Sequence, residues 1–540
     1  MFMQKRSLLA WLLAIVLVLG MFVFLGCAPD TAVDDPEPAE EPDDEEETEE
    51  PDETTADVQE ITLAITRDPE FLDPAHLSWT SAHGVANNIF NGLVKWETGT
   101  FEIVPDLAYD WDISEDGRTY TFYLHEGVQW HGGYGEFTAD DVKFTFERAL
   151  DPETGSRWEG LINLITDIVV VDDYTVEIHI EEPSPVFIHN MSAYRPGKIM
   201  SRAAYEDIGD DYNFEPIGTG PFQFERWIPH EEIVLVAFDD YFEGAPTLRK
   251  ATFLVIAEDT VGAMALEAGE IDTMLVSLEE IYDRFVADPD IVVQELPSTG
   301  TRYLQIKTVL EPFTDVRVRQ AMAHAIDRQA IADMVGMGTL PLVTQIPQMM
   351  FGYSEDVPVR EYDPELAKSL LAEAGYPDGF DTQYYGRDIE VERDVFTLMQ
   401  AQLAQVGINV EYVMMDSTAW MTATTAGESP LAWLSLSARY DPDAILSGFF
   451  HGARSSPEGR NFTWWGGADD LIDAGRIEMD EARRAEIYFD LQVLFHEEVP
   501  SIPLFQPTNV RALHPWVKGL VLGQVEDTYL YNVSIEGRGQ

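Results

Sequence analysis

The residues of this sequence best suited to joint chemistry are aromatic rings set among a few charged groups. Trp420, Trp433, Tyr440, Trp464 and Trp465 fall within one stretch of a chain that has 12 Trp and 21 Tyr. A solute enclosed between two halves of a protein needs such rings for contact area and a few polar groups for orientation. Arg439 adds a guanidinium beside the turn Tyr440-Asp441-Pro442, and a guanidinium suits a carboxylate, a phosphate or a sugar hydroxyl. The same residues have plainer uses: aromatic rings usually fill cores, and Arg439 could face solvent or pair with an acid.

Signatures of catalysis are weaker. His496-Glu497-Glu498 lacks the second histidine of a zinc-protease helix, and no Gly-x-Ser-x-Gly nucleophile elbow occurs. Gly218-Thr219-Gly220 is not followed by Gly-Lys-Ser, so nucleotide binding has no support. Carboxylates are so numerous that a pair for acid/base work could be drawn anywhere. The single cysteine, Cys27, excludes an intramolecular disulfide and a thiolate metal cluster. The chain is therefore expected to be a binding protein and not an enzyme, with no cofactor and no metal site.

The totals point the same way. At 540 residues the chain is too long for one core. Its 98 acidic and 33 basic residues give a formal net charge of -65, a surface that repels nucleic acid. Acidity with scarce Lys fits adaptation to high salt, where screening removes self-repulsion, as well as it fits a merely acidic secreted protein.

Lys5 and Arg6 precede an apolar run from Leu8 to Leu25 that ends in Gly26-Cys27 and then turns polar, the pattern of an export signal. An uncleaved anchor is the alternative, since about eighteen apolar residues span a bilayer. Either reading puts the body of the protein outside the cytoplasm. Residues 28–57 are Asp, Glu, Pro and Thr with almost nothing to bury, which predicts a disordered tether.

The elements that must position the candidate groups read as an alternation of strands and helices, hence an α/β architecture. Gln59 to Ile65 alternates as a first strand, and Ala82 to Leu93 reads as a helix. Tyr109 to Ile113 and Thr119 to Leu124 form a hairpin about Ser114-Glu115-Asp116-Gly117. Thr138 stands as an N-cap with Asp141 at capping-box spacing, before a stripe of Val142, Phe144, Phe146 and Leu150. A second hairpin runs from Val169 to Ile180, and Arg302 to Ile306 reads as a crossing strand. Val316 to Val335 reads as one long helix, and Asp363-Pro364 starts a further one that Gly375 stops.

Several of these segments carry a resemblance. Leu72-Asp73-Pro74, Asn88-Ile89-Phe90-Asn91-Gly92-Leu93, Pro105-Asp106-Leu107-Ala108 and Glu126-Gly127-Val128-Gln129-Trp130-His131 recur in one bacterial family. So do Phe146-Glu147-Arg148-Ala149, Gly218-Thr219-Gly220-Pro221-Phe222, Gly269-Glu270-Ile271-Asp272 and Val318-Arg319-Gln320-Ala321 through Ile326-Asp327-Arg328. The chain resembles the dipeptide, oligopeptide and nickel class of extracellular solute-binding proteins, the capture subunits of ABC importers. His131-Gly132-Gly133 departs from the family's His-Asp-Gly. Leu25-Gly26-Cys27 resembles a lipobox, which would make Cys27 the lipidated first residue of the mature protein.

The resemblance implies a two-lobed periplasmic-binding-protein fold of type II with a subdomain inserted in lobe one. Its expected division is a signal peptide over 1–26 and a lipidated Cys with acidic tether over 27–58. Lobe one would comprise 59–98, 212–300 and 506–540, the inserted subdomain 99–211 and lobe two 301–505. The expected ligand-binding residues are Trp79, Tyr303, Trp420, Trp433, Arg439, Tyr440, Asp441 and Trp465. Expected partners are a small solute, the permease subunits of an ABC importer and, through the lipid, a membrane; the protein is expected to be monomeric. Peptide-binding members often carry an aspartate for the ligand's ammonium where this chain has Ala438, so a peptide and an oligosaccharide both stay open. Rivals are a ligand sensor, an envelope chaperone and an extracellular hydrolase.

Overall fold

The computed structural model describes residues 58–538 apart from 79, 193–194, 437–439, 458, 524 and 526–527. Three sheets dominate, and each draws on its own spans of sequence. A seven-stranded sheet has the spatial order Val292–Pro297, Thr508–Leu513, Thr273–Leu275, Glu60–Ile65, Lys250–Val255, Glu232–Ala237 and Phe222–Ile228. Glu60–Ile65 lies parallel to both of its neighbours, and the outer pairs are antiparallel. A six-stranded sheet has the order Leu340–Pro341, Ser501–Gln506, Thr301–Ile306, Leu431–Leu436, Phe380–Arg387 and Ile408–Met415. A four-stranded antiparallel sheet, Ala108–Ile113, Thr119–Leu124, Thr175–Ile180 and Ile165–Asp172, forms a smaller body.

Side-chain alternation explains how each sheet finds its core. In Thr119–Leu124 the inward residues Tyr120, Phe122 and Leu124 are buried, and they meet Val142 and Phe146 of the helix Ala139–Leu150. Both halves of the capping box that starts this helix are present, Thr138 to the Asp141 amide and Asp141 back to the Thr138 amide. Its buried stripe is Val142, Thr145, Phe146 and Ala149; Phe144 and Leu150, expected in it, are only half-buried, and Phe144 turns toward Tyr205 at 5.6 Å. In Thr301–Ile306, Leu304 and Ile306 face a core with Met322, Phe396 and Trp433, whereas Tyr303 faces another with Leu446, Leu491 and Phe495. The six-stranded sheet thus has a core on each side.

Two expected helices are shorter than their periodicity predicts. Val316 to Val335 is broken into Val316–Ala325 and Arg328–Val335, because Ile326 is extended and the Asp327 carboxylate caps the second segment at Ala330 N, 3.0 Å away. The helix expected over Ala82 to Leu93 ends at Ala86. Asn88 then makes tertiary bonds, donating to Thr528 O at 3.1 Å and accepting from Leu530 N at 2.8 Å. Among the described residues no helix is long and apolar enough to cross a membrane.

The four-stranded body is joined to the seven-stranded lobe by polar groups drawn from separated segments. Asp106 accepts from Asn91 Nδ2 at 2.7 Å and from Gly92 N at 2.8 Å, and Asn91 Oδ1 accepts from Thr219 Oγ1 at 3.0 Å. His131 Nδ1 accepts from Gly218 N, so its Nε2 carries the proton donated to Gly220 O at 2.8 Å. A Cβ on Gly218 would lie 1.9 Å from Ile89 O, which is why glycine is needed there. Arg148 makes a two-pronged bond to the fully buried Asp73, at 2.6 and 3.1 Å.

Candidate ligand-binding cleft

The two large sheets are connected by a pair of strands that run from one into the other. Val292–Pro297 pairs with Thr508–Leu513 as far as Pro297 opposite Thr508, and Thr301–Ile306 pairs with Ser501–Gln506 from Arg302 opposite Phe505. Between them Ser298 N donates to Pro507 O at 2.9 Å, and Gln506 Nε2 donates to Ser298 O at 2.7 Å. The joint is a narrow hydrogen-bonded ribbon between two packed bodies, the build of a hinge.

The edge of the six-stranded sheet next to this joint carries the groups with the clearest chemistry. Phe380–Arg387 and Leu431–Leu436 run parallel and finish at the edge where Thr301–Ile306 begins. Ligands of open α/β sheets gather beyond such carboxyl ends. Arg302 is half-buried there, and its Nη1 donates to the Thr301 and Leu436 carbonyls at 3.0 and 3.2 Å. Among the described residues it has no carboxylate within 4.0 Å. Burial, then the like charge of Arg387, pushes its pKa down to about 10.

Arg387 is held from behind. Its Nε donates to Glu392 Oε2 at 3.0 Å, and Glu392, fully buried, also accepts from the Tyr384 hydroxyl at 2.9 Å. The Arg387 guanidinium lies 4.7 Å from the centre of the Trp420 ring, and Trp420 Nε1 donates to Tyr385 O at 2.9 Å. Gly386 lets the strand pass between rings: a Cβ there would sit 2.1 Å from the Tyr412 ring. One guanidinium paired with Glu392, one without a carboxylate, and an indole beside them are a set of groups that can receive a carboxylate.

Opposite lobe two stands the four-stranded body, and Tyr440 reaches it. The Tyr440 ring stacks on His189 at 5.0 Å and lies 5.4 Å from Trp96, while its hydroxyl donates to Asn190 Oδ1. Trp96 Nε1 in turn donates to His189 Nδ1 at 3.1 Å. Burial, partly offset by the Asp441 carboxylate, lowers the His189 pKa to about 4, so the ring is neutral in this contact. A cavity of about 610 Å³ opens beside it, lined by Leu161, Ser184, Asn190, Tyr440, Asp441 and Arg476 among others. At its rim Arg476 and Glu182 bridge the two bodies at 2.7 Å.

The residues singled out from the sequence have different fates. Trp420 lies beside Arg387 and is buried, and Tyr440 lines the cavity. Trp79 and Arg439 lie outside the described residues, as does Cys27. Tyr303 and Trp433 are buried in cores, and the Tyr303 hydroxyl donates to Gln345 O at 2.6 Å. Asp441 lines the cavity, and Arg484 holds both of its oxygens in a buried pair at 2.7 and 2.8 Å. Trp465 is half-buried and packs on Phe495 at 5.1 Å. To these the geometry adds Arg302, Arg387 and Asn190 as candidates that the sequence reading did not single out. With only 33 basic residues in the chain, two arginines ending or opening strands were a signal that could have been weighed.

The family model for bacterial extracellular solute-binding proteins, family 5 middle, matches residues 102–457, well over half of the chain. The chain belongs to this family. A dipeptide-binding protein of Escherichia coli (strain K12) is 30% identical to it over 515 residues, covering 89% of this chain and 96% of that protein. Among solved structures, HbpA2 from Haemophilus parasuis superposes with a TM-score of 0.84 at 28% identity, covering 88% of this chain and all of that one. DppA from Helicobacter pylori, an ABC-transporter-associated periplasmic binding protein in complex with the peptide STSA, gives 0.71 at 29% identity, covering 88% and 98%. This family 5 protein therefore has the type II periplasmic-binding-protein fold, works outside the cytoplasm and captures a solute for an ABC importer.

Proposed function

We propose that the solute is a short peptide or a similar small carboxylate, gripped by Arg302 and Arg387 against Trp420 while the lobes close through Tyr440. One observation carries this reading: in a chain with a net charge of -65, Arg302 sits half-buried beside a second guanidinium with no carboxylate of its own. A ligand carboxylate supplies the missing partner, and a charge-assisted, partly desolvated bond of this kind is strong. The dipeptide-binding relative and the relative in complex with the peptide STSA support the same class. The solute leaves chemically unchanged and passes to the permease subunits.

Thermal unfolding in the presence of dipeptides, their C-terminal amides, oligosaccharides and metal chelates tests the assignment. A ligand at a hundredfold its Kd stabilises by about 2.7 kcal/mol, and only the free acids are expected to do so. Stabilisation by neutral oligosaccharides alone would overturn it. The protein is held at the membrane through lipid on Cys27 in the same reading, so a Cys27→Ala chain should leave the membrane fraction; a variant still sedimenting with membranes would contradict this.

A further inference from the structure

Lobe two contains another gathering of positive charge, away from the cleft. Arg328 opens the helix Arg328–Val335 and is only 9% exposed; its Nε donates to Pro503 O at 2.8 Å and its Nη1 to Arg360 O at 3.0 Å. Arg360 donates through Nη2 to His496 O at 2.5 Å and through Nη1 to His324 Nε2 at 3.0 Å. The other nitrogen of His324 donates to Glu361 O at 2.8 Å, which fixes that tautomer. None of Arg328, Arg360, His324 and His496 has a carboxylate within 4.0 Å among the described residues, and Asp327, Glu361 and Asp363 act only from further away.

Arg328, Arg360 and His496 line a small cavity of about 20 Å³, together with Ser501 and Gln492. Ser501 is 1% exposed and its hydroxyl has no partner; the Gln492 carbonyl oxygen, an acceptor, has none either. Arg328 Nη2 makes no hydrogen bond within the described residues. An unsatisfied buried hydroxyl and an unanswered guanidinium at one cavity ask for an occupant. The space holds one water or one monatomic ion. A water would satisfy the hydroxyl and the Gln492 oxygen but leave the arginine charge unanswered.

We propose that this cavity is a halide site, in which one chloride accepts hydrogen bonds from Ser501 Oγ and Arg328 Nη2 and neutralises the Arg328–Arg360 pair. The site is independent of the solute cleft. Repulsion within the cluster is consistent with an absent counter-charge: burial and Arg360 push Arg328 down to about 10, and burial with the two arginines pushes His496 down to about 4. The ion closes the joint between the break after Val316–Ala325, the end of the helix Glu481–Glu498 and the strand Ser501–Gln506.

Two measurements on the whole chain test this. Crystals soaked in sodium bromide should show an anomalous peak in the cavity within bonding distance of Arg328 and Ser501; a cavity filled by water without anomalous signal overturns the proposal. In solution, chloride is exchanged for gluconate at fixed sodium, and melting temperature is followed as chloride returns. The chloride concentration giving half the shift should rise about tenfold in Ser501→Ala, which removes one charged hydrogen bond and no charge. An unchanged midpoint in Ser501→Ala, with the variant folded, contradicts it.

Discussion

His131 shows how one residue couples the fold to pH. Burial lowers its pKa from 6.5 to about 4. Between those values the unfolded chain holds the proton and the folded one does not, so stability rises with pH through this window and is lost on acidification. Asp106 in the same junction acts oppositely: burial raises it from 3.8 to about 6, so its share of stability falls as pH climbs through that range. In His131→Gln, whose amide can still donate to Gly220 O, the gain in unfolding free energy from pH 4.5 to 6.5 should shrink by about 2 kcal/mol in urea titrations. An undiminished gain would mean that His131 does not titrate as the buried geometry requires.

At the scale of elements, the motifs legible in the sequence are mostly joints. Asn88 to Leu93, Asp106, His131 and Gly218 to Phe222 meet at one seam, and Asp73 meets Arg148 beside it. Such positions are readable because a buried bond or a close backbone approach tolerates few residue types. The ligand wall was less legible. Arg302 and Arg387 belong to distant strands that become neighbours only through the strand Leu431–Leu436 between them, a pairing no local pattern encodes. Aromatic clustering does not separate cleft from core for a related reason: Trp433 and Tyr303 fall on sheet faces covered by helices. The helix break at Asp327 was hidden because apolar spacing continues across it, and only the cap chemistry of the aspartate tells otherwise.

Tyr440 is the element contact that most directly bears on closure, since it ends a lobe-two strand connection and packs on Trp96, His189 and Asn190. Tyr440→Ala should release bound dipeptide about tenfold faster in stopped-flow tryptophan fluorescence, from the loss of a ring contact and a buried hydrogen bond. Release at the normal rate would mean that the lobes close without it. The Arg476–Glu182 bridge is half-exposed at the rim and contributes about 1 kcal/mol or less.

For the whole molecule, charge is the governing quantity. A net of -65 spread over one chain repels itself in dilute buffer, and at about 1 M salt the screening length falls to about 3 Å. Melting temperature should therefore rise by more than about 5 °C between 0.05 and 1 M sodium gluconate, a salt without halide, in both the natural chain and Ser501→Ala. A flat response would show that the acidic surface costs the fold nothing.

The central claim is that a carboxylate solute is received by Arg302 and Arg387. Titration calorimetry of one dipeptide and its C-terminal amide, into the natural chain and Arg302→Met, tests it most directly. The free acid should bind the natural chain at least about thirtyfold more tightly than the amide, and Arg302→Met should erase most of that difference. Equal affinities for acid and amide in the natural chain would contradict the account.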